Sequence, residues 1–155
     1  MIVYSDEAGI DDNETTETGW APSGERCYAE KHAERETRYN IIAALNTVKL
    51  FAPFLFEGYS NKAVYETYIE KVLIPALKPG MVVVIDNARF HKSKKIIELI
   101  ESVQCKLIFL PPYSPDLNPI EHYWSAIKKS IRRAACNVND FYDAIIDTLA
   151  KLCSA

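Results

Sequence analysis

Apolar residues along the 155-residue chain fall into two kinds of run, alternating or continuous stretches of strand length and longer stretches at helical spacing. Ile2, Val3 and Tyr4 form a short β-favouring run that ends in Ser5-Asp6-Glu7-Ala8-Gly9, a polar turn carrying two acids. Residues 11 to 38, rich in Glu, Thr, Gly and Asp, read as an extended, irregular excursion with a turn around Trp20, Pro22 and Gly24. Two runs of strand character follow, Tyr39 to Val48 and Leu50 to Glu57, and little more than Lys49 separates them, so a hairpin is expected. From Asn61 to about Ile74 the residues Val64, Tyr65, Tyr68, Ile69, Val72 and Leu73 recur at helical spacing. Asn61 is placed to cap that helix, Pro75 to kink or end it, and Pro79-Gly80 to stop it.

Met81 to Ile85 is continuously apolar and mostly β-branched, the pattern of a strand covered on both faces, and Asp86 closes it. Ile96, Ile97, Leu99, Ile100 and Val103 trace an amphipathic helix, and a second apolar run spans Leu107 to Leu110. Strand, helix and strand of this kind imply a parallel βαβ unit, so antiparallel strands are followed by parallel ones in a mixed α/β sheet flanked by helices. Pro111 to Pro119 contains four prolines and reads as a stiff loop. Beyond it, a helix from Pro119 to Ala135 gathers Ile120, Tyr123, Trp124, Ile127 and Ile131 on one side, and a last helix from about Asn139 to Leu152 gathers Phe141, Tyr142, Ile145, Ile146 and Leu149.

Composition places this pattern in an ordinary globular chain, with 48% hydrophobic and 25% charged residues and enough length for one domain over residues 1–155. No apolar run approaches the roughly 18 residues of a membrane span. No basic segment followed by an apolar stretch opens the chain, so a cytoplasmic protein without membrane partners is expected. Cys27, Cys105, Cys136 and Cys153 never pair as C-x-x-C, which argues against a zinc cage or redox motif.

The net charge of −3 hides an asymmetry. Residues 1–36 carry ten acids and three bases, whereas residues 86–135 carry five acids and nine bases, so a phosphate-facing surface belongs to the later half. From charge alone, solvated helix faces are the favoured reading.

Three acids stand where those elements converge. Taken singly, Asp6 suits a strand-to-loop turn, and Asp86 suits an Asx turn or a ligand-binding strand end. Glu121 suits a capping box, with Asn118 as N-cap and Pro119 at the first helical position. Taken together, the first strand, the central strand and the first turn of the following helix bring them to one sheet edge. Like charges so close destabilise a fold unless a cation or shared proton neutralises them. An all-oxygen donor set selects magnesium or manganese.

Four stretches carry a resemblance: Tyr4 to Gly9, Gly19 to Gly24, Val84 to His91, and above all Leu110 to Glu121. With them the chain resembles, over nearly its whole length, the catalytic domain of mariner-type DDE transposases, in the branch found in bacterial insertion sequences. The 34 residues between Asp86 and Glu121 match the interval between that family's second and third acids.

The resemblance implies a ribonuclease-H-like fold and Asp6, Asp86 and Glu121 as a DDE triad holding two Mg2+ or Mn2+ ions, with Asp6 bridging both. It also prefers Glu121 to Asp116 as the third acid. The implied reaction is hydrolysis of a DNA phosphodiester at the element's ends, followed by attack of the freed 3′ hydroxyl on target DNA containing a TA dinucleotide.

Glu7, Asn87, His91 and Asp116 neighbour the triad and are expected to orient water, substrate or a ligand. Arg89, Lys128, Lys129, Arg132 and Arg133 are the residues expected on the DNA backbone. Trp20 and Trp124 are expected to pack. The resemblance also implies a homodimer on paired DNA ends. Met1 directly precedes the first catalytic strand, so the helix-turn-helix modules that recognise the ends are expected in a separate domain or the product of an upstream reading frame.

Three rival readings fit less well. A receiver-type phosphoacceptor domain needs a lysine where Leu110-Pro111 stands, and 79 residues between Asp6 and Asp86 are too many for it. Another ribonuclease-H-like nuclease would use the same ions, but the proline-rich approach to Glu121 favours the transposase. An inactive remnant serving as a binding or dimerisation module would keep the fold, and the intact triad argues against it.

Overall fold

The computed structural model of the chain describes residues 1–11, 22–24, 38–47, 49–112, 114–136, 138 and 140–154. Five strands form one sheet in the order β3-β2-β1-β4-β5. β1 (Ile2–Asp11), β2 (Arg38–Leu45) and β3 (Leu50–Glu57) are antiparallel neighbours, and β4 (Val82–Ile85) and β5 (Lys106–Phe109) extend the sheet in parallel from β1. The expected switch from antiparallel to parallel pairing is therefore observed, and β1 is the strand on which it turns.

β1 is much longer than the apolar run predicts. Ser5 to Gly9 form no turn; they continue the strand and pair with β2 as far as Asp11 opposite Arg38. Pairing with β4 stops earlier, at Ser5 opposite Ile85. Asp6 and Asp86 thus each follow the last paired residue of two adjacent parallel strands. Backbone bonds to β2 hold the polar stretch extended although its composition favours a turn.

Helices cover both faces. α1 (Lys62–Tyr68) and α2 (Lys94–Ser102) pack on one face, where Val3, Ile42, Tyr65, Tyr68, Val83, Ile85, Ile96 and Ile100 form a buried cluster. α3 (Ile120–Ala135) and α4 (Phe141–Ser154) pack on the other around Ile10, Ile41, Ala43, Leu45, Trp124, Ile127, Ile131, Ile145 and Leu149. β2 feeds both clusters by alternation, Ile41 and Ala43 to one side and Ile42 and Ala44 to the other.

Several boundaries differ from the sequence pattern for local reasons. Asn61 caps α1 as expected, its Oδ1 accepting from Val64 N, but the helix widens into a π turn over Ile69–Leu73 and tightens into a 3₁₀ turn over Ile74–Ala76 containing Pro75, which has no N–H to donate. β3 bulges at Ala52 (φ 51°), beside Pro53, a feature tolerated on an edge strand. β5 is the other edge, and its Ile108 is exposed rather than covered. Tyr123, Tyr142 and Ile146 are exposed too, flanking the apolar stripes of their helices. Asp140 starts α4, its Oδ1 accepting from Tyr142 N. Trp20, Cys27, Val48, Tyr113 and Asn139 lie outside the described residues, as does most of the stretch from 11 to 38; within it Ser23 and Gly24 form a turn.

Candidate active site

One pocket of about 590 Å³ opens at the end of β4, and Asp6, Asp86 and Glu121 all line it. Leu110 and, from the stiff loop, Pro111, Pro112, Ser114 and Pro115 line it too, and Asn87, Ala88, Arg89, Lys92 and Asn118 complete the lining. Among the described residues no three His, Cys, Asp or Glu side chains are close enough to form a ready-made metal cage. The acids share the pocket without converging on a point.

Strand alternation turns Asp6 to the face covered by α3, where it is buried and accepts a hydrogen bond from Trp124 Nε1 at 3.2 Å. Burial raises its carboxyl to about 7, and the charges of Glu121 and Asp86 add to the rise against the bonds from the Glu7 backbone and Trp124.

Asp86 has the opposite balance. Burial raises it, but hydrogen bonds from His91 and from the Ala88 amide, with the His91 charge, hold it below its ordinary value. The Asx turn is real, with Ala88 N donating to Oδ1 at 3.1 Å, and His91 Nδ1 meets the same oxygen.

Glu121 is exposed in the first turn of α3, and the expected capping box is absent there. No side chain among the described residues caps the helix; the Glu121 amide donates to the backbone oxygen of Asn118. The carboxylate is thus not engaged in capping and faces the pocket.

The donor chemistry fits hard cations. Beside the three carboxylates, Asn87 and Asn118 each present a buried Oδ1 that has no hydrogen-bond partner among the described residues, and both residues line the pocket. Unpartnered buried amide oxygens are costly and are also ligands that such ions accept.

The neighbours separate. Asn87 and Arg89 line the pocket and His91 touches Asp86. Glu7 points to the opposite side of β1 from Asp6, where it accepts from Ser60 Oγ; burial raises its carboxyl. Asp116 sits exposed on the 3₁₀ turn Pro115–Leu117 and does not line the pocket, although its neighbour Pro115 does.

Lys128, Lys129, Arg132 and Arg133 also stay out of the pocket. α3 runs away from Glu121 at about 1.5 Å per residue, which puts Arg132 about 16 Å further on.

Two residues were not expected in the site. Trp124 bonds Asp6 as well as packing, and the sequence carried a signal of it: Trp124 lies one turn after Glu121, and a buried indole N–H seeks an acceptor. Lys92 lines the pocket from the turn after β4.

This strand order, antiparallel then parallel with helices on both faces and acids at the strand ends, is the ribonuclease-H-like fold. The chain belongs to the DDE superfamily endonuclease family, whose model matches residues 1–141. It is 34% identical over 96 residues to the transposable element Tcb2 transposase of Caenorhabditis briggsae, an alignment covering 59% of this chain and 35% of that protein. The chain therefore matches about a third of that relative's length.

Among solved structures, the Mos1 strand transfer complex superposes with a TM-score of 0.74 at 17% identity, covering 99% of this chain and 47% of the Mos1 chain. The Mos1 transposase catalytic domain, solved with raltegravir and Mg, gives 0.63 at 16% identity, with 99% and 71% covered. No helix among the described residues is long and apolar enough to cross a membrane.

Proposed function

We propose that this chain is the catalytic domain of a transposase, and that Asp6, Asp86 and Glu121 together hold Mg2+ or Mn2+ against a DNA phosphodiester. The observation that carries the reading is that three acids from three separate elements line one pocket beside two amide oxygens without a hydrogen-bond partner among the described residues. Solved Mos1 forms with Mg and with Mn support the choice of ion.

Bound there, such ions lower the pKa of water and stabilise the attacking and leaving oxygens of an in-line displacement at phosphorus. The chain's own residues do the rest. Asp6, held by Trp124, would supply a carboxylate to the ion, and its raised pKa means that holding a cation there near neutral pH would require it to give up a proton. Asp86, held by the Ala88 amide and His91, supplies one already ionised. Glu121 faces them from α3, and the proline-rich loop fixes the wall through which that helix enters.

Arg89 and Lys92 bring positive charge to the same pocket and are the groups best placed to meet the phosphate backbone. Element ends and target DNA are the proposed substrates. A dimer on paired ends, with end recognition supplied by a further domain or another reading frame's product, completes the proposal.

Supercoiled DNA incubated with the purified chain and Mg2+ or Mn2+ tests the reaction, beside an Asp86→Asn variant. Ion-dependent nicking that disappears in the variant is expected. Nicking without ions, or equal nicking by the variant, contradicts the mechanism.

A further inference from the structure

The 3₁₀ turn Arg89–His91 that follows Asp86 sends its side chains two ways. Arg89 lines the pocket, while the His91 ring is buried at 1% exposure. It lies against the ring of Tyr65 at a centroid distance of 3.9 Å and against Phe90 at 4.3 Å. Its Nδ1 meets Asp86 Oδ1, and its Nε2 is buried with no hydrogen-bond partner among the described residues. Packing alone does not explain a polar ring there, because a buried unsatisfied nitrogen is costly and an apolar ring would avoid it.

Tyr65 is itself anchored. Its fully buried hydroxyl donates to Ser5 Oγ at 3.4 Å, and Ser5 precedes Asp6 in β1. The ring that supports His91 is therefore tied to the strand that carries the buried acid Asp6.

We propose that His91 is a positioning residue for Asp86: packed against the Tyr65 ring and edge-on to Phe90, its Nδ1–H fixes Oδ1 and so leaves Oδ2 as the oxygen for a divalent cation. This rests on the ion-holding role proposed above. The Ala88 amide alone bonds Oδ1 from within the loop; the His91 bond adds a second, rigid donor from the core, which removes the carboxylate's remaining freedom about its Cβ–Cγ bond. Pre-setting a ligand in this way raises ion affinity because the ordering is done before the ion arrives.

Mn2+ affinity of the whole chain, followed through the free-ion EPR signal, tests this with three variants. His91→Ala is expected to weaken binding about 10- to 100-fold. His91→Asn keeps an N–H donor at the Nδ1 position and is expected to recover most of that affinity, whereas His91→Gln, which puts its donor one bond further out, is expected not to. That contrast is one that mere packing does not produce, since Gln fills the ring's volume better than Asn. Should His91→Ala fail to fold, the Asn and Gln variants carry the comparison at matched melting temperature. Parent-like affinity in the Ala variant, or equal affinity in Asn and Gln, overturns the positioning role while Asp86→Asn still abolishes binding. If Asp86→Asn binds Mn2+ as the parent does, the ion-holding role falls and this proposal falls with it.

Discussion

Asp6 is buried at 6% exposure with two other acids around the same pocket, an arrangement that favours the protonated form. Its carboxyl titrates at about 7 in the fold, against an ordinary 3.8. Between those values the folded chain keeps a proton that the unfolded chain has released, so stability falls as pH rises through this window and stays reduced above it. Without divalent ions the melting temperature is therefore expected to be lower at pH 8 than at pH 5. Asp6→Asn should flatten that difference, and Mg2+ should restore the parent at pH 8; equal pH dependence in parent and variant contradicts this.

Trp124 gives a second expectation at this scale. Trp124→Phe keeps an aromatic ring in the core but removes the bond to Asp6, and Mn2+ affinity is expected to drop about tenfold with a smaller change in melting temperature. That Asp6, Asp86 and Glu121, which line one pocket, come together at one sheet edge was legible in the sequence. The role of Trp124 was not, because its packing function satisfied the apolar pattern by itself.

At the scale of elements, the parallel unit was legible from continuous apolar runs, and the antiparallel hairpin from paired β-rich runs with a short polar break. The length of β1 was not, since Ser5 to Gly9 gain their extended form from pairing with β2, a partner distant in sequence. The absence of the capping box was not legible either; a capping glutamate and one that lines a pocket look alike until the helix start is seen.

The end of α2 was equally hidden, because no glycine marks it. Gln104 takes φ 59°, and the amides of Gln104 and Cys105 donate to the carbonyls of Glu101 and Ile100, a Schellman closure with a non-glycine residue in the left-handed position. Gln104→Gly is expected to raise stability by about 0.5 to 1 kcal/mol in chemical denaturation. A loss of stability would mean that the Gln104 side chain contributes more than its backbone costs.

For the whole molecule, the sheet separates two apolar cores and gathers the chemistry at one sheet end, where acids line the pocket and Arg89 and Lys92 join them. The net charge of −3 gave no sign of this, because basic residues of the later half are spread between the pocket and the far turns of α3. Arg89→Ala with Lys92→Ala is expected to weaken DNA binding and to reduce the slope of log affinity against log salt by about one for each phosphate that is no longer neutralised. Substituting Lys129, which does not line the pocket, should change cleavage far less than either.

The central claim, that three carboxylates jointly hold divalent ions, does not depend on DNA recognition and is tested most directly by calorimetric titration of the chain with Mn2+ at pH 7.5. Asp6→Asn, Asp86→Asn and Glu121→Gln should each weaken or abolish binding that Mg2+ competes for in the parent. Undiminished binding in all three variants would contradict the account.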